Sequence, residues 1–378
     1  MTLRAGTPAE AGLDEGGLRA LEALLAEGTR DGVFPGAVAL VARGGVAGWH
    51  HAHGYAQLTP RRRPATRRTL YDLASLTKVL AALPVALALV ERGILRLDAP
   101  VREVLPEFAD GARSQVTFRQ LLAHTSGLPA WRPLYLRATG RQAVLAEICR
   151  TPLEADPGRK VEYSDLGILL LGFAMELLAG ARIDALARTY VIAPLGLRET
   201  LYTPPPALRP RCAATEAGHG YEREKVGDEG AGYPWKPDVL VGEVHDGNAH
   251  YALGGVAPHA GLFSTAWEVA VVAQRWLRPG GWLSPALVAE ATRDQRAGAE
   301  GYPRGLGWVL HHEGTFFDAF GPRAFGHTGF TGTSVAIDPD ADLVAVLLTN
   351  RVHLGGGNTK IIDFRRRFHR AVREALRA

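Results

Sequence analysis

The chain has 378 residues, enough for one large domain or two ordinary ones with a substantial core. With 47% hydrophobic and 22% charged residues it reads as a globular protein without low-complexity tracts, and a formal net charge of +4 is a small excess for this length. Only five of the 43 basic residues are lysine, a compositional bias, so "RRRPATRR" (61–68) and the C-terminal "RRRFHRAVREALRA" read as a solvated loop and a solvated helix face, and no nucleic-acid partner is expected.

The N-terminal "MTLRAGTPAEAGLDEG" is polar and carries no apolar signal core, so a cytoplasmic location is expected. Residues 13–29 form an amphipathic pattern opened by Asp14, a helix. "GAVALVARGG" and "VAGWHHAHGYA" read as two strands joined by a Gly-Gly turn. "DLASLTKVLAAL" (72–83) starts a helix, and "VTFRQLLAHTSGLP" is a short helix stopped at Gly127 and Pro129. From 130 to about 262 the pattern is one of helices and long loops, with 203–260 rich in Gly, Pro and His. Helices are expected near 265–278 and 284–294. Strands follow in "GLGWVLHH", "FGHTGFTGTSVAIDP" and "DLVAVLLTNR", and a helix ends the chain. The apolar runs at 79–90 and 166–180 are shorter than the ~18 residues a bilayer span needs. They read as helices buried between layers, so no integral membrane segment is expected.

Strands at both ends and helices between them predict an α/β (α+β) fold. One antiparallel sheet flanked by helices is built from both termini, with a mainly helical inserted domain. The sheet domain comprises 1–70 and 262–378 and the insertion 71–261, with an active site between them.

Within the insertion, Ser75 and Lys78 stand one helical turn apart, on one face. A serine needs a neighbouring base to become a nucleophile, and a buried lysine of depressed pKa can be that base. The helix N-terminus adds a positive dipole and free N–H groups where an oxyanion would form. A serine before a helix with a surface lysine is an ordinary alternative, although with so few serines and lysines only about 0.1 chance S-x-x-K matches are expected. "EYSDLG" (162–167) and "FGHTGF" (325–330) are weak signals singly. In the order S-x-x-K, Y-S-D, H-T-G they resemble the three motifs of serine β-lactamases and penicillin-binding proteins. "LLAHTSGLP" (121–129) and "GLFSTAWEVA" (261–270) are similar to that family's connecting segments. The likeness, over roughly 15–375, is greatest to the branch of class C β-lactamases, D-Ala-D-Ala carboxypeptidases and family VIII esterases. "VHDGNAHYALGGVAPHAGLFST" (244–265) further resembles penicillin-binding protein 4B-like members.

The resemblance implies a serine hydrolase with a β-lactamase/transpeptidase-like fold, needing no cofactor and acting on a small-molecule or peptide substrate. It implies that Ser75 is acylated, that Lys78 takes its proton and that Tyr163 passes protons to the leaving group. The N–H groups of Ser75 and Phe330 would form the oxyanion hole, with Asp165, His327, Thr328 and Gly329 on the substrate side. Many such relatives work in the periplasm or outside the cell. Two departures stand out. Asp165 replaces a common asparagine, which removes an amide donor and places a carboxylate where it either pairs with Lys78 or caps the following helix. His327 replaces a common lysine and is mostly neutral at pH 7, so its grip on a carboxylate is expected to be weak. A non-catalytic binding or scaffold protein of the same fold is the alternative. His50, His51 and His53 on a strand, and His245, Asp246, His250 and His259 in the loop region, show no HExxH pattern; no metal is expected, and they are read as shaping the pocket rim. Cys149 and Cys212 form no CxxC pair, and Cys149 is a core residue.

Overall fold

The computed structural model describes residues 3–377. The first helix, Glu15–Arg30, starts where Asp14 accepts from the Gly17 N–H, and it buries Leu18, Leu21, Leu24 and Leu25 along one stripe. The last helix, Ile361–Glu374, buries Phe364, Phe368 and Val372 in the same way and packs beside it. Each such side chain contributes roughly 1.5–3 kcal/mol by leaving water, more than propensity alone supplies.

Both helices cover one face of an eight-stranded sheet. Its order is Arg4–Ala5, Val46–Gln57, Gly36–Arg43, Leu343–Thr349, Ser334–Asp338, Phe325–Thr328, Val309–Leu310, with Arg63–Pro64 added on Val46–Gln57. The central strands are buried on both sides, and period-two alternation sorts their residues: Val38, Leu40 and Ala42 face one core, Ala37, Ala39 and Val41 the other. Small residues stand opposite larger ones in register, Ala39 against Leu347 and Val41 against Ala345, which leaves room for the helix side chains. The second face is covered by Ala266–Leu277, and behind it lie the apolar helices Leu83–Glu91 and Asp165–Ala179. No single helix among the described residues is long and apolar enough to cross a membrane.

Four expectations are corrected. The sheet is not wholly antiparallel, because Arg4–Ala5 runs parallel to Val46–Gln57. "FGHTGFTGTSVAIDP" is two strands, Phe325–Thr328 and Ser334–Asp338, so Gly329 and Phe330 lie in the turn between them. There Thr331 and Thr333 donate their hydroxyls to the carbonyls of Asp72 and Leu73 instead of extending the ladder. The strand in "GLGWVLHH" shrinks to Val309–Leu310, since a turn closed by the Gly305 N–H on the Trp308 carbonyl precedes it. The middle of the chain also holds small sheets, Tyr71–Asp72 with Leu262–Ser264 and Leu201–Tyr202, and Ala214–Ala217 with Val239–Val241. Their partners are distant in sequence, so no local pattern announces them.

Candidate active site

Ser75 stands on a strained turn between strand Tyr71–Asp72 and the helix that begins at Leu76. Ala74 holds a left-handed φ of 46°, a conformation that costs a non-glycine residue roughly 1–2 kcal/mol. Buried Asp72 offsets it: one carboxylate oxygen accepts from the Ala74 N–H at 2.9 Å and the other from the His245 N–H at 2.7 Å. The Ser75 turn and the 244–260 loop are therefore pinned to one carboxylate. Lys78 begins a single π-helical turn, Lys78–Ala82, a feature that recurs at functional sites.

The Lys78 ammonium is almost fully buried. It donates to Ser75 Oγ at 2.8 Å and to the His259 carbonyl at 3.1 Å, and it lies 2.7 Å from Asp165 Oδ1. Burial favours the neutral amine, but the charge of Asp165, followed by Tyr163, outweighs it and holds Lys78 above its ordinary pKa. Tyr163 lies under it, with the ammonium 4.9 Å from the ring centre. The phenol is pushed up by burial, against the opposing pull of Lys78, and its hydroxyl is buried without a well-aligned hydrogen-bond partner. At rest the group is thus an ammonium, a phenol and a carboxylate.

The Tyr163–Asp165 segment is held by "HTSG". His124, itself at φ 58°, accepts the Ser164 N–H on Nδ1 at 3.0 Å and packs, tilted, against Tyr163 with ring centres 4.7 Å apart. Gly127 is obligatory here, since a Cβ would fall 2.0 Å from the Ala155 carbonyl at a φ of 80°. The helix cap is Ser164, whose Oγ accepts from the Gly167 N–H at 3.0 Å. Asp165 is therefore not the cap, and the carboxylate expected on the substrate side is engaged with Lys78.

Across the pocket, His327 and Thr328 form the edge of the sheet beside Ser75, as the motif order predicts. Gly329 brings this edge against the Ser75 turn: a Cβ there would lie 2.4 Å from the Leu73 carbonyl. The N–H groups of Ser75 and Phe330 donate to no other protein group among the described residues. The Phe330 ring packs between Tyr221 and the Arg351 guanidinium. His327 departs from expectation. Burial, then Arg304 and Lys78, hold its pKa well below normal, and its Nδ1 sits 2.8 Å from the Thr328 carbonyl. A carbonyl only accepts, so Nδ1 carries the proton and the unpartnered Nε2 is a bare acceptor. The ring offers a carboxylate no donor.

These residues line one cavity of about 720 Å³. Its lining also contains two residues that the sequence reading missed, Arg304 and Glu222, and two of the loop residues read as shaping the pocket rim, His245 and Asp246, with His259 behind Asp246. Asp246 accepts from His259 Nε2 at 2.9 Å, and burial followed by the charge of Asp246 pushes Glu222 well up. Asp165, Asp246 and His259 bring ligand atoms within 4.8 Å of one another, a spacing that suits a metal ion, but the Lys78 ammonium already neutralises Asp165 there. No local signal marks Arg304 and Glu222, because segments far apart in sequence converge on the cavity. Cys149 and Cys212 are buried and free, away from the site.

A sheet assembled from both ends of the chain, with a Ser–Lys–Tyr group between it and a helical layer, defines a protein of the β-lactamase/transpeptidase-like fold. A sequence profile of the Beta-lactamase family matches residues 21–368, and the chain belongs to that family. It is 34% identical over 338 residues to a provisionally named D-alanyl-D-alanine carboxypeptidase of Salmonella typhimurium, covering 83% of this chain and 77% of that one. In fold it resembles EstCE1, a hydrolase with promiscuous acyltransferase activity (TM-score 0.74, 22% identity, 96% and 99% of the two chains). It also resembles a class C β-lactamase from Rhodobacter sphaeroides (TM-score 0.70, 22% identity, 94% and 99%).

Asp165→Asn tests the ion pair. Removing the carboxylate leaves only Tyr163 to oppose the effect of burial on Lys78, so the pH step that reports its deprotonation moves to lower pH. The new amide can donate to an acyl-amide carbonyl, worth about 1 kcal/mol, so β-lactam acylation rises relative to ester turnover. If neither the pH profile nor that ratio moves, with thermal unfolding unchanged, Asp165 has no part in either.

Proposed function

We propose that the chain is a serine hydrolase working through an acyl-enzyme on Ser75, with activity of the esterase, D-alanyl carboxypeptidase and β-lactamase type. The observation that carries this reading is the unbroken contact from Ser75 Oγ through Lys78 Nζ at 2.8 Å to Asp165 at 2.7 Å, open to a cavity beside free backbone donors. In the proposed cycle Ser75 Oγ bonds to the substrate carbonyl carbon while its proton enters the Lys78–Tyr163–Asp165 group. The N–H groups of Ser75 and Phe330 hold the resulting oxyanion. Tyr163 returns a proton to the departing oxygen or nitrogen as that bond breaks, and water then releases the acyl group from Ser75.

Small activated esters are expected to be turned over faster than β-lactams or D-alanyl peptides. Their leaving groups need little protonation, and Asp165 provides no amide donor for an acyl-amide side chain. Side-by-side kcat/KM values for p-nitrophenyl esters, nitrocefin and a D-Ala-D-Ala peptide check this; nitrocefin ahead of the esters overturns it. One observation favours the alternative, a binding protein with little catalysis: the Lys78–Asp165 pair leaves no ready base at rest. Intact mass after fluorophosphonate treatment separates the two, one adduct on Ser75 for the hydrolase and none for the binding protein.

A further inference from the structure

Phe330, whose N–H is one of the two donors proposed to hold the oxyanion, lies in a turn and is 37% exposed, so burial alone does not fix it. Its neighbours do. Arg351 Nε donates to the Phe330 carbonyl at 2.8 Å, and the guanidinium lies 4.5 Å from the centre of the ring. The Tyr221 ring packs at 4.9 Å, and the His245 ring stacks at 5.6 Å, 21° from parallel. One buried carboxylate gathers all of these, Glu216 on the strand Ala214–Ala217. Its Oε2 accepts from His245 Nε2 at 3.0 Å, and its Oε1 accepts from the Tyr221 N–H at 3.1 Å and the Gly356 N–H at 2.9 Å. The Gly356 carbonyl in turn accepts from Arg351 Nη1 at 2.9 Å. Gly356 also presses on Tyr221 so closely that a Cβ would fall 2.4 Å from that side chain.

Burial opposes both charges of the Glu216–His245 pair, yet each partner holds the other charged, Glu216 below its ordinary pKa and His245 above it. A buried network with its members satisfied is rigid. Glu216 is not among the residues that line the cavity, so it is not placed to touch a substrate. His245 ties it to the other donor as well. The His245 main-chain N–H donates to Asp72, which shapes the Ser75 turn through the Ala74 N–H. We propose that Glu216 is a positioning residue for the oxyanion hole: acting through His245, Tyr221 and the Gly356–Arg351 link, it fixes the Phe330 N–H relative to that of Ser75. Such a donor works only when it is aimed, within hydrogen-bond distance, at the oxygen that becomes charged, and a small misplacement is costly. This role rests on the acyl-enzyme reading above.

p-Nitrophenyl benzoate and its thionoester, O-(p-nitrophenyl) thionobenzoate, test it, because a thiocarbonyl sulfur accepts hydrogen bonds poorly and gains little from an oxyanion hole. In Glu216→Ala the ester-to-thionoester ratio of kcat/KM is expected to fall roughly tenfold, part of the about 10²–10³-fold that a whole donor is worth. Glu216→Gln keeps an oxygen that can accept from the Tyr221 and Gly356 N–H groups and is expected to restore most of the ratio. His245→Leu leaves the main-chain bond to Asp72 in place; it is expected to lie between wild type and Glu216→Ala, and it decides the matter if Glu216→Ala does not fold. A wild-type ratio in the folded variants overturns the proposal. So does an equal loss on both substrates, the mark of a merely structural carboxylate. The Phe330 amide resonance of 15N-phenylalanine-labelled protein, identified by its loss in Phe330→Leu, needs no turnover. It is expected to shift more than the other phenylalanine amides in Glu216→Ala and His245→Leu. An unmoved resonance overturns the clamp, whereas a shifted one in a protein that fluorophosphonate does not label supports the clamp and sinks only the acyl-enzyme reading.

Discussion

Ser75→Ala is expected to abolish ester hydrolysis and covalent labelling while the fold survives. The side chain is half-buried, and its Oγ accepts from Lys78 and is the only heavy atom lost. The turn that presents it depends on Asp72 and Ala74, which are untouched. Losing the nucleophile of a serine hydrolase costs about 10³-fold in rate or more. Stopped-time kinetics with a p-nitrophenyl ester and mass analysis after fluorophosphonate exposure measure both effects. Labelling of the variant at the wild-type rate would move the nucleophile elsewhere. Thermal unfolding should stay near the wild-type value, because no buried contact of the core is removed.

The second large effect concerns Lys78 and Tyr163 together. Lys78→Ala and Tyr163→Phe are each expected to slow acylation about 10²-fold or more, the range of a lost general acid or base. The double variant is expected to be little worse than the poorer single one. Ammonium and ring are 4.9 Å apart, each shifts the other's ionisation, and groups serving one proton path do not sum. Lys78→Ala also strips the partner from Asp165, so some loss of stability accompanies it. Tyr163→Phe has no such cost, since its hydroxyl has no well-aligned partner to lose. Clean additivity in the pre-steady-state acylation rates of this cycle would assign one residue to structure alone.

How much of this was legible in the sequence depends on the range of the interaction. Ser75 and Lys78 are three residues apart, and helical geometry by itself makes them neighbours, so the contact at 2.8 Å could be anticipated from spacing. The same holds for the Asp14 cap, the buried stripe of Glu15–Arg30 and the Gly-Gly hairpin between Gly36–Arg43 and Val46–Gln57. These are local rules, and a local rule needs only the neighbouring residues. The order of the three motifs placed Tyr163 and His327 at one site through resemblance, not through any spacing that physics could convert into distance.

What only the tertiary structure decided is the electrostatics. Whether Asp165 caps a helix or pairs with Lys78 turned on Ser164 taking the cap, two alternatives that are equal in sequence and exclusive in space. His327 became an acceptor because the Thr328 carbonyl fixes its proton on Nδ1, and Arg304 faces the same cavity from a segment more than 200 residues away from Ser75. Burial and the sign of the nearest charge set a group's ionisation. Both are properties of the assembled cavity, so the chain determines the Ser75–Lys78 contact by local sequence and the site's charge pattern only by folding.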